Sequence, residues 1–300
     1  MTGQRPAWAA LDRFVAPVRV RPTLWRFLAG LVLAVALSVA LTALAGVAIW
    51  LRYGAFIGAG MLYAITAGAT PGALVALLFG FGGLLLGTFA AARLVQGRPA
   101  GTLFGAPFAV LLPQFVRAAL AVVAVQGTIS AIPLVTGEAV AHRHPLDLLP
   151  FYPFAAVGLL VQVVAEETLF RGYILQGLAA RYRQTWIWFL LPAVMFAAGH
   201  YQPGKYGDAA LIVVVWAGMF GLFAADLTAR TGNLGAAAGF HFASNGVALF
   251  FMGTAGDLDG MSAFVTPGGG ASLAADLPGM VVIFVATVAS WLAVRFALRV

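Results

Sequence analysis

Stretches of about twenty residues with little or no charge recur from one end of this chain to the other. About twenty apolar residues are what a helix needs to cross the hydrocarbon core of a bilayer. In lipid every backbone N–H and C=O must find its partner inside the protein, so a chain built of such windows is restricted to spanning helices or a closed barrel. Eight windows fit helices: Phe27–Leu51, Gly72–Ala92, Pro113–Val135, Phe151–Leu178, Trp186–His200, Ala209–Leu227, Asn233–Met252 and Leu277–Val294. The fourth carries charges and the fifth is short. The glycine-rich residues 53–70 read as an interfacial or re-entrant segment. The fold expected is all-α, a polytopic integral membrane bundle of about eight transmembrane helices. Composition agrees: 62% of the 300 residues are hydrophobic and 9% charged, where soluble domains carry roughly a quarter charged. No polar stretch is long enough for a large soluble catalytic domain. The absence of Cys excludes disulfides, Cys-ligated zinc and a Cys nucleophile.

The net charge of +7 is read as cytoplasmic loops held near anionic lipid, with no nucleic-acid partner. Arg5, Arg13, Arg19, Arg21 and Arg26 precede the first span, and Arg93, Arg98, Arg181, Arg183, Arg230, Arg295 and Arg299 fall in every second loop. The alternate loops hold only Arg52, Arg143 and Lys205 among basic residues, and six acids, Glu138, Asp147, Asp208, Asp257, Asp259 and Asp276. This alternation predicts an inner (plasma) membrane protein with both termini cytoplasmic. The organisation expected is a cytoplasmic segment 1–26, spans one to three in 27–150, a catalytic core in 151–255, and an outer loop with the last span in 256–300. The abundant glycine and alanine read as close helix packing.

Ionisable residues inside spans are costly and mark functional sites by default. Glu166, Glu167 and Arg171 lie in the fourth window, His200 ends the fifth, and His241 and Asn245 lie in the seventh. Glu167 and Arg171 are four apart and share a helix face, so they are expected to pair. Glu166 is rotated by about 100° from Glu167 and has no evident partner in its own helix. His241 and Asn245, and Phe196 and His200, have the same four-residue spacing. His142 and His144 read as solvated, and Asp226–Arg230 as a structural pair.

These three motifs together resemble the CAAX protease and bacteriocin-processing family (CPBP, also called Abi), whose pattern is EExxxR, then FxxxH, then HxxxN or HxxxD on successive membrane helices. Here they are Glu166-Glu167-Thr168-Leu169-Phe170-Arg171, Phe196 to His200, and His241 to Asn245. The Thr231-Gly232-Asn233-Leu234 lead-in to the last motif agrees as well. The resemblance covers 166–245 and implies an intramembrane endopeptidase acting on a membrane-embedded or membrane-associated peptide or protein. It implies that Glu166 is the base that takes a proton from water and that His200 helps hold that water. His241 and Asn245 would stabilise the oxyanion, with Glu167 and Arg171 as structural support.

Ligand preference favours a metal-free reaction, since Asn245 is a poor zinc ligand and no HExxH is present. The alternative is zinc held by Glu166, His200 and His241. Two other readings compete: a non-catalytic immunity or scaffold protein of the same family, and a proton-coupled transporter, for which the missing internal repeat is unfavourable.

Overall fold

The computed structural model describes residues 8–267 and 277–300; Arg5 and Asp276 lie outside them. It is a helical membrane bundle. Among the described residues six helical segments are long and apolar enough to cross a membrane: Leu24–Ala67, Pro71–Val95, Ala100–Thr136, Tyr152–Arg181, Pro203–Thr231 and Gly279–Leu298. The expected fifth and seventh spans are shorter. Thr185–Ala198 has 14 residues, and Gly235–Gly246 has 12 before it widens into a π-turn over Val247–Phe251. A count of eight full spans is therefore not met by length. We label the helices α1 (Ala9–Arg19), α2 (Leu24–Ala67), α3 (Pro71–Val95), α4 (Phe108–Ser130), α5 (Tyr152–Arg181), α6 (Thr185–Ala198), α7 (Ala210–Thr231), α8 (Gly235–Gly246) and α9 (Leu277–Leu298).

The amphipathic α1 lies outside the spans. It buries Leu11, Phe14, Val15 and Val18, one stripe at 3, 4 and 7 residue offsets, against Phe27, Tyr173 and Trp188. In α2 the chain breaks at Gly54, with φ 78° and ψ 171°, a conformation open to glycine alone. A Cβ on Gly58 would lie 3.2 Å from the Trp50 Cα, and one on Gly46 would lie 3.9 Å from Leu62. Residues eight apart on a straight helix are about 12 Å apart. The helix therefore doubles back at Gly54, and the stretch read as interfacial or re-entrant contains a returning helical limb that ends at Ala67.

Small residues set the closest helix contacts. A Cβ on Gly235 of α8 would lie 2.6 Å from the Leu111 carbonyl of α4, and one on Gly239 would overlap the Phe115 carbonyl. The two backbones touch where glycines face them, as in other membrane helix pairs. Asp226 of α7 accepts from Arg230 at 2.7 Å and from the Trp291 indole at 3.0 Å. This pair thus also ties α9 to α7.

The two ends of the bundle differ in charge. At one end Arg26 donates to the Val95 carbonyl and Arg181 to the Thr23 carbonyl. At the other, a three-stranded sheet that sequence did not foretell joins β1 (Val140–Ala141), β2 (Met252–Thr254) and β3 (Phe264–Thr266). β3 is central, antiparallel to β1 and parallel to β2. Around it Lys205 pairs with Asp257, and His142 lies 3.6 Å from Asp259. His144 accepts from the Leu146 N–H and caps the turn Pro145–Leu148. Both His are exposed, in line with their reading as solvated, and each also has a neighbour in this cap.

Candidate active site

The polar side chains predicted from the three motifs meet where α5, α6 and α8 face one another. Glu166 and Glu167 end the α-helical part of α5, and Thr168–Leu175 continues as π-helix. Such wider turns are rare and concentrate at functional sites. Arg171 lies inside the π-segment and still reaches Glu167, its Nη1 2.9 Å from Oε1. Its Nη2 donates to the Gly221 carbonyl of α7 at 3.2 Å. Both side chains are sealed, at 2% and 0% exposure. Further hydrogen bonds offset the desolvation of a buried charge pair. Glu167 Oε2 has no partner among the described residues, but His241 supplies one bond. Its Nδ1 lies 2.9 Å from the same Glu167 Oε1.

That bond orients the imidazole. An oxygen already ion-paired to Arg171 accepts rather than donates, so Nδ1 carries the hydrogen. Nε2 is then turned to Glu166, 3.5 Å from Oε2, longer than a good hydrogen bond. Glu167 and Arg171 therefore position His241, and His241 faces Glu166. The arrangement resembles the carboxylate–histidine pairs that fix tautomers in other sites.

Glu166 has a partner in its own helix after all, contrary to expectation. Gln162, one turn earlier on α5, donates from Nε2 to Glu166 Oε2 at 2.8 Å. Asn245 of α8 donates from Nδ2 to Gln162 Oε1 at 3.1 Å. Gln162 thus links the end of the third motif to the first. Its spacing of four from Glu166 was visible in the sequence, but an uncharged amide in a span carries little signal by itself.

His200 follows the end of α6, two residues past Ala198. Its Nδ1 is 2.8 Å from the Phe196 carbonyl. A carbonyl can only accept, so Nδ1 donates and Nε2 keeps its lone pair. His200 lies in electrostatic reach of Glu166. The Phe196 ring organises this side of the site: its centroid is 4.5 Å from His200, 6.2 Å from His241 and 5.1 Å from the Arg171 guanidinium. Phe220 of α7 packs beside it, 6.2 Å from Phe196 and 5.0 Å from His241. α6 has only 14 residues, about 21 Å of helix, so His200 follows a helix shorter than a full span.

Among the described residues no group of three or more His, Asp or Glu is disposed to hold a metal ion. The donor types for zinc are nonetheless present in Glu166 and in the Nε2 atoms of His200 and His241.

Two carboxylates, two imidazoles and an asparagine thus gather between the helices of the bundle. Residues 148–247, about a third of the chain, match the family described as type II CAAX prenyl endopeptidase Rce1-like. This segment is similar to CAAX prenyl endopeptidases, a likeness that points to a membrane protease in general. Neither the curated proteins nor the solved structures gave a significant match.

Proposed function

We propose that this protein is an intramembrane endopeptidase in which Glu166 activates water for attack on a peptide bond of a membrane-associated substrate. The observation that carries this reading is the placement of Glu166 Oε2 opposite His241 Nε2, with His241 locked from behind by Glu167. Peptide hydrolysis needs a base for water and donors for the developing oxyanion. Glu166 takes the proton as the water oxygen bonds to the carbonyl carbon, and the C=O pair moves onto oxygen. His200 holds the water through Nε2. Asn245 uses one amide N–H for Gln162 and keeps the second for the oxyanion. His241 joins it when its Nε2 is protonated. The tetrahedral species then collapses, the C–N bond breaks, and Glu166 returns its proton to the leaving amine.

The reaction is proposed to run without metal. Zinc, if bound, would take Glu166 and the two Nε2 atoms and polarise the substrate carbonyl, leaving Asn245 and Gln162 outside its coordination. The catalytic core is placed in 151–255, between the spans of 27–150 and the outer loop and last span of 256–300. The gathering of basic side chains at one bundle end supports an inner-membrane orientation with both termini cytoplasmic.

The deciding experiment compares wild type with Glu166→Gln in membranes at equal abundance, using substrate-trapping proteomics to find the cleaved proteins. Glu166→Gln keeps shape but cannot take a proton from water. Cleavage is expected to fall to background while substrates accumulate on the variant. Near-normal cleavage by Glu166→Gln would overturn the mechanism.

A further inference from the structure

At the basic end of the bundle, away from the carboxylates, a cavity of about 280 Å³ opens between the end of α1 and residues 96–102. Arg98 lines it and is only 5% exposed. Its guanidinium donates to three neutral acceptors: Gln96 Oε1 at 2.6 Å, Thr102 Oγ1 at 2.7 Å and the Gly172 carbonyl at 3.3 Å. Among the described residues no carboxylate pairs with it. A buried cation without a counter-charge is unfavourable, and burial lowers Arg98 to about 10. An arginine has five N–H groups, so two remain to bind something else.

Arg21 lines the same cavity from the other side and has no carboxylate partner among the described residues. The acid nearest in sequence, Asp12, is taken by Arg19 at 2.6 Å. Gly97 separates the two arginines. It has φ +67°, and a Cβ there would lie 2.9 Å from Arg21 Nη1, so the absent side chain is what lets Arg21 lie over the loop. The cavity sits between the residues that flank α2, α3 and α4, the level at which a bilayer presents its headgroups. Val20 and Pro17 line it as well, and Val20 is 79% exposed, an apolar edge suited to acyl chain.

We infer that this cavity is a phosphate-binding site, filled by the headgroup phosphate of an anionic lipid held between Arg21 and Arg98. Paired guanidinium groups match phosphate oxygens through parallel N–H bonds. The bound anion would supply the charge that Arg98 lacks and would tie α1 to the loop joining α3 and α4.

The test uses the full-length protein purified in detergent, with native mass spectrometry counting phosphatidylglycerol retained against phosphatidylcholine. Wild type is expected to keep one phosphatidylglycerol selectively. Arg21→Gln, an exposed change, is expected to weaken retention about tenfold, the scale of lost charge-assisted bonds. Arg98→Gln is expected to do the same if it folds. Arg93→Gln, exposed at the same end but outside the cavity, is expected to change retention by less than about twofold. A parallel thermal melt adds inorganic phosphate in phosphatidylcholine alone. If phosphate raises the melting temperature of wild type but not of Arg21→Gln, and displaces the lipid, the site stands and its source is free phosphate. Equal retention of the two lipids by wild type with no phosphate shift would overturn the inference, as would equal losses in Arg21→Gln and Arg93→Gln.

Discussion

His241 Nδ1 and Arg171 Nη1 both stand 2.9 Å from one oxygen of Glu167. One atom therefore serves as the counter-charge for a buried guanidinium and as the anchor of the imidazole that faces Glu166. In the proposed mechanism the second acid is thus a positioning residue, and neutralising it is expected to release His241.

Arg171→Ala is expected to lower folded abundance sharply. It leaves the Glu167 carboxylate buried without its cation, a change that typically costs about 3–5 kcal/mol. Abundance in membranes and detergent melting curves check this. Normal abundance with loss of turnover would instead give Arg171 a direct part in the chemistry.

Gly239→Leu is expected to destabilise the contact of α8 with α4, where even a Cβ would overlap the Phe115 carbonyl. Overpacking of this kind costs roughly 1–3 kcal/mol. The strain falls two residues before His241, so turnover is expected to drop further than the melting shift accounts for. Turnover measured well below the melting temperature separates the two effects.

The charged members of the site were legible because charge inside an apolar window is conspicuous. Glu166, Glu167, Arg171, His200 and His241 each stand out, and the spacing of four gave the Glu167–Arg171 pair. Gln162 was not legible, since an amide in a span is compatible with many harmless packings. Nor was the link from His241 to Glu167, because spacing orders residues on one helix and says nothing of which faces meet. The same limit applies to the bundle. Window length located the helices, but the reversal at Gly54 and the sheet joining residues 140, 252 and 264 depend on long-range contacts. The length of α6 agrees with its short window, whereas the passage of α8 into π-helix at Val247 is a change of winding that an apolar window does not reveal.

Metal removal gives a third outcome. Activity is expected to withstand 1,10-phenanthroline, and the purified protein is expected to hold less than one zinc per chain. Metal analysis alongside the chelated assay checks both. Stoichiometric zinc, with activity lost on its removal and regained on its return, would place Glu166, His200 and His241 as ligands instead.

Gln162 and Asn245 offer the sharpest test of how the site is aligned. Asn245→Ala removes an oxyanion donor and the bond to Gln162, and loss of one such donor typically lowers turnover about 10²–10³-fold. Gln162→Leu keeps the apolar volume but strips the 2.8 Å bond from Glu166 and the 3.1 Å bond from Asn245. It leaves the base and the oxyanion amide in place but free to turn, so a smaller loss, mainly in kcat, is expected. The double variant decides whether the two act through each other. If Gln162 works by holding Asn245, the combined loss falls well short of the product of the single losses, as coupled neighbours do. Gln162→Glu adds a carboxyl beside Glu166 and cannot donate while ionised. Its activity is expected to recover toward lower pH, where the shared proton restores a donor to Glu166. A kcat profile against pH for wild type, Gln162→Leu and Gln162→Glu reads this directly. An unchanged profile in Gln162→Glu, with strictly multiplicative losses in the double variant, would reduce Gln162 to packing.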